Sequence, residues 1–128
     1  MIEFRMPAFR MDGEMLSLSE VLRETRSQRW SWRLLNFEGT SRLESNLNVL
    51  ELEESIRSSM EGINYSWETL LLFADDVDQP IDVSLVAFDR VDRCVLVIEV
   101  RDGTYWRILS DQSDVNSVEI ATRISRLA

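Results

Sequence analysis

The chain has no histidine and no lysine, and among its 128 residues it holds one cysteine (Cys94), two prolines and four glycines. Each absence removes a kind of chemistry. Without His, the side chain best suited to acid–base work near neutral pH is missing. A Ser-His-Asp or Cys-His nucleophile cannot be assembled. Without Lys there is neither a Schiff-base amine nor a phosphate-loop lysine. A zinc site draws several ligands from Cys and His, and one such residue is too few. A lone cysteine forms no internal disulfide, so nothing points to an oxidising compartment. Catalysis is left with paired carboxylates, alone or with a divalent ion. An enzyme is not expected, and neither is a cofactor. The missing Lys also has a plain origin in genome base composition and carries little weight alone.

Long apolar runs are missing too. The longest, residues 70–74 and 94–98, are five residues each, against about 20 for a membrane span. Residues 1–13 carry Glu3, Arg5, Arg10 and Asp12 around no apolar core, unlike a signal peptide. A soluble, cytoplasmic protein that meets neither membrane nor nucleic acid directly is expected.

What is present suits one globular domain over residues 1–128: 45% apolar and 29% charged residues, enough to bury a core. The 14 basic residues are all Arg, against 23 acids, for a net charge of −9. That charge is unevenly placed. Residues 1–33 balance to +1, residues 34–89 to −10, and residues 90–128 to zero. An asymmetry of this kind points to a surface that meets something positive. The plainer alternative is that these acids only solvate two helices.

Periodicity gives the elements. Residues 2–9 read as an edge strand. Ser17 or Ser19 opens a helix ending near Ser27, and Ser17 with Glu20 has capping-box spacing. Residues 29–37 read as a central strand, with Trp30, Trp32 and Leu34 on one face and Arg33, Leu35 and Phe37 on the other. The pattern breaks over residues 36–40, and residues 40–48 read as a loop. Asn48 caps a helix whose core side is Val49, Leu52, Ile56 and Met60, with Glu53 and Arg57 paired at four-residue spacing. Gly62 ends it in a left-handed cap.

Ser66 caps a second helix with Trp67, Leu70, Leu71 and Ala74 inward, stopping in a turn over residues 75–80. Acids at that helix end oppose its dipole, a local inconsistency of the sort found at functional places. Residues 81–88, 94–100 and 104–109 form a three-strand meander turning at Asp102-Gly103. A last helix buries Val118, Ala121, Ile124 and Leu127. The order β-α-β-α-α-β-β-β-α implies an α+β fold. Its sheet is mostly antiparallel and its helices pack on one face.

Two candidate sites follow from the acids. Glu51, Glu53, Glu54, Glu61, Glu68, Asp75, Asp76, Asp78 and Asp82 form a candidate partner-binding surface. It would imitate phosphates before a basic protein and speed the encounter. Asp75, Asp76, Asp78 and Asp82 suit a hard cation by donor type. Their spacing fits no EF-hand loop, and no metal is expected. The tryptophans and Cys94 are expected to be packing residues.

The segments WSWRLLNFEG (30–39), ESIRSSMEG (54–62) and FADDVDQPID (73–82), within a small acidic α+β chain, resemble bacterial immunity proteins. These belong to contact-dependent growth inhibition and other polymorphic toxin systems. The resemblance implies a binding protein that blocks one cognate toxin, often a nuclease; a non-enzymatic monomer whose partner has a basic surface is expected. It assigns no residue roles. Alternatives are an acidic chaperone for a secreted effector, a phage-encoded nucleic-acid mimic and a small carboxylate enzyme. In such chaperones three strands follow the first helix directly, whereas two helices intervene here.

Overall fold

A computed structural model describes residues 1–26 and 29–128. Among these, six strands and four helices form. In chain order they are β1 (Ile2–Pro7), α1 (Leu18–Arg23), β2 (Ser31–Ser41), α2 (Val49–Arg57), β3 (Ile63–Tyr65), α3 (Trp67–Asp75), β4 (Val77–Phe88), β5 (Cys94–Arg101), β6 (Tyr105–Ser110) and α4 (Val115–Ser125). The strands make one antiparallel sheet in the order β1-β6-β5-β4-β2-β3. The fold is α+β, with helices packed against the sheet, as the periodicity implied.

One sheet face carries the core. Met6, Trp106, Val100 and Val83 form one row across four strands, and Ile108, Ile98, Leu85 and Leu34 form the next. All are buried, together with Leu18, Val21 and Leu22 of α1, Leu70, Phe73 and Ala74 of α3, and Ile120, Ala121 and Ile124 of α4. The opposite face alternates to Arg5, Arg107, Glu99 and Ser84. There Glu99 is itself buried. It accepts from Arg107 Nε at 2.8 Å, from Ser84 Oγ at 3.4 Å and from Arg101. A carboxylate this enclosed persists because charged donors meet both of its oxygens.

The helix N-caps are where the sequence places them, but α2 closes at Ser58 rather than in a left-handed cap at Gly62. Ser17 and Glu20 make a reciprocal capping box, Asn48 accepts from the Glu51 amide, and Ser66 accepts from the Thr69 amide. The expected end of α1 near Ser27 lies outside the described residues, and the helix closes at Glu24.

Several expectations are corrected. β2 does not break at residues 36–40 but runs to Ser41 through register shifts. A bulge at Leu35 switches the faces, so Phe37 joins Trp32 and Leu34 on the core side while Leu35 is left exposed. An inserted residue has this effect because side chains alternate with period two. The expected turn over residues 75–80 is mostly strand, since β4 begins at Val77. β3 was not anticipated, and three residues are too few to show a period. Met60 lies past the end of α2 and is fully exposed. Arg57 pairs with Glu54 at 3.5 Å, not with Glu53. In α4 the buried line is Ser117, Ile120, Ala121 and Ile124 rather than one through Val118, with the Ser117 hydroxyl 2.7 Å from that of Ser110.

Gly62 shows why this connection needs glycine. Its φ is +78°, and a Cβ there would stand 2.5 Å from the Leu34 carbonyl oxygen. Both the left-handed backbone and the close approach of β3 to β2 exclude a side chain.

Candidate functional site

The acidic middle of the chain separates into groups. The first is built on α2. Leu52 is the residue of this helix that is buried, with Val49 and Ile56 half-buried against the core. Glu51 and Glu54 therefore face solvent, and Glu53 turns to the side. Glu51 lies in the first turn, where an acid complements the helix dipole. Leu50, one turn before Glu54 on the same side, is 78% exposed.

Glu53 lines a cleft of about 400 Å³ between α2 and β2, together with Ile56, Arg57, Asn36, Phe37 and Glu38. Phe37 gives the cleft an aromatic floor, and its ring meets Phe73 of α3 edge-on at 5.4 Å. Glu38 stands directly across the β2–β4 ladder from Asp82. Asp82 in turn has Arg101 at 4.0 Å on its other flank. Glu38 thus links the α2 acids to Asp82. The sequence pattern does not single out Glu38, because its segment looks like a break. A strand continuing past the bulge would have placed it beside the acids.

The second group holds the fold together. Asp75 accepts from Ser19 Oγ at 2.6 Å and from Arg23 Nη2 at 3.3 Å, both on α1. Arg42 donates through Nε to the Asp75 carbonyl at 2.8 Å and through its amide to the Asp76 carbonyl at 2.9 Å. These two arginines answer the acids at the α3 terminus. The inconsistency seen in the sequence is therefore a structural junction. The Asp75 carboxylate is thus taken up by α1. Glu61 lies in the turn after α2, Glu68 in the first turn of α3 and Asp78 at the start of β4, each exposed on a different element.

The four aspartates weighed as cation ligands do not converge. Asp75 turns to α1 and Asp82 to Arg101. Among the described residues, no group of three carboxylates or thiols is placed to hold a metal ion. Burial pushes the Cys94 thiol above its ordinary pKa, which disfavours the nucleophilic thiolate. No helix among the described residues is long and apolar enough to cross a membrane.

The arrangement offers a negative rim around a shallow, partly apolar cleft at one end of the sheet. Such a site suits a cationic side chain whose stem lies against Ile56. No family model matches this chain, and neither the curated proteins nor the solved structures include a match to it.

Proposed function

We propose that this protein is a non-enzymatic inhibitor of the immunity class, which binds and neutralises a bacterial toxin domain in the cytoplasm. The basic surface of the toxin, of the kind a nuclease uses to hold phosphates, docks on the α2–β2 rim of Glu38, Glu51, Glu53, Glu54 and Asp82. The observation that carries this reading is that Glu38, which faces Asp82 across the ladder, shares a cleft with Glu53. Like charges set opposite each other cost stability in the free protein, and a cationic partner relieves them.

The test is binding to the C-terminal domain of a toxin encoded beside this gene. Wild-type protein is expected to bind and to rescue growth. A Glu38→Ala, Glu51→Ala, Glu53→Ala, Glu54→Ala quadruple variant should associate about tenfold more slowly, with the difference largest at low salt. Absence of binding removes the immunity assignment. Unchanged association of the quadruple variant at low salt removes the acidic rim as its site.

A further inference from the structure

β1 is an edge of the sheet opposite to the α2–β2 rim, and it pairs with β6 alone. Its run Ile2-Glu3-Phe4-Arg5-Met6 is a charge palindrome about Phe4, in which an acid on one side mirrors a base on the other. The Ala8 amide, just past the strand, donates to the Thr104 carbonyl at 3.0 Å. Backbone groups in an antiparallel ladder alternate between its two sides. The even residues therefore turn theirs to β6, and Glu3 and Arg5 turn theirs outward. Glu3 and Arg5 are exposed, where they also pair with each other within the chain at 2.8 Å, and Ile2 and Phe4 on the core side are half-buried.

We propose that β1 pairs antiparallel with β1 of a second copy of this chain, centred on Phe4. In that register Glu3 faces Arg5 of the second copy twice, by symmetry, and Ile2 faces Met6 of the second copy. The outward amides and carbonyls of Glu3 and Arg5 bond to each other, joining two sheets into one. Pro7, which has no N–H to offer, ends the pairing. The occupant is a second copy because the pattern is its own complement, the condition for a two-fold interface. The net charge of −9 opposes association only weakly here. The acid excess lies at the far edge, and screening at physiological salt acts over about 8 Å. Each protomer keeps its own core, so the dimer follows mass action. It departs from the monomer expected from sequence and leaves both acidic rims free.

Sedimentation at physiological salt tests the proposal on the full chain. Wild-type protein at high micromolar concentration is expected at twice its 15.0 kDa mass. Glu3→Arg and Arg5→Glu each set like charges opposite one another and should leave only monomer. Circular dichroism confirms that each variant folds. Mixed in equal amounts, the two variants are complementary and should restore the dimer. A wild type that stays at 15.0 kDa, a dimer that survives either single change, or a mixture that stays monomeric would overturn it.

Discussion

Glu38 and Asp82 face each other directly across the β2–β4 ladder, two carboxylates at a spacing where a sheet favours opposite charges. Arg101 reaches Asp82 at 4.0 Å, which offsets part of the repulsion. Replacing Glu38 with Gln should raise stability by about 0.2–1 kcal/mol while weakening the hold on a basic partner. Urea denaturation reads the first effect and toxin binding the second. A variant that loses both stability and binding would show that Glu38 is a structural residue and that no repulsion is stored there for a partner.

A different contrast comes from the tryptophans. Trp67 is only half-buried, yet its Nε1 donates to Thr25 Oγ1 at 2.8 Å, and that hydroxyl donates to the Leu22 carbonyl at 2.6 Å. Thr25 is fully buried, so this chain ties α3 to the end of α1. The indole nitrogens of Trp32 and Trp106 are buried and unpartnered. An unmade bond of that kind costs about 1–3 kcal/mol. Trp67→Phe should therefore destabilise more than Trp32→Phe, although Trp32 is the more buried. In the first case a bond is lost, and in the second an unpaired donor disappears and offsets lost packing. Equilibrium unfolding of the two variants would contradict this if the loss followed burial alone.

Acid should weaken the fold around Arg93. Asp89 lies below the usual carboxylate range because the Arg93 and Val91 amides donate to it, and the Arg93 charge adds to this. Asp111 is lowered mainly by the Ser113 hydroxyl and amide. Arg93 lies between them, with Nε at 3.2 Å from Asp89 and 3.5 Å from Asp111. Folding favours the ionised form of both acids. Their contribution is complete above the unfolded value near about pH 4 and is lost as pH falls through the lower folded values. Unfolding free energy measured from neutral pH down to strong acid should fall in that window. Asp89→Asn and Asp111→Asn should each flatten the fall. An unaltered acid profile in the double variant would exclude this pair as its source.

How far the fold could be read follows from the same physics. The meander of β4, β5 and β6 was legible because β-branched residues alternate there and Asp102-Gly103 marks its turn, with φ of 52° and 64°. The caps at Ser17, Asn48 and Ser66 were legible because they are local. The face of Phe37 was not, since one bulged residue, Leu35, reverses the alternation without any change in composition. The strand character of residues 77–80 was hidden by Pro80, which demotes a run that would otherwise read as extended. Among the acids of the proposed rim, charge singles out Glu51, Glu53, Glu54 and Asp82. Only the register of β2 against β4 brought in Glu38, and only long-range partners removed Asp75.

Asp75 gives the sharpest test of that separation. Its carboxylate takes the hydroxyl of Ser19, a residue only 8% exposed, and faces Arg23 at 3.3 Å. Those contacts join α3 to α1. Asp75→Ala leaves the Ser19 hydroxyl without its carboxylate partner and should cost about 1–2 kcal/mol. The rim keeps its charges, so association with a basic toxin should keep its rate and its salt dependence. Glu54→Ala should do the reverse, slowing association at low salt with stability within about 0.5 kcal/mol of wild type. Measuring unfolding and association for both variants separates the two roles. If Asp75→Ala slowed binding as much as Glu54→Ala while the protein stayed folded, the acids would have to be read as one surface after all.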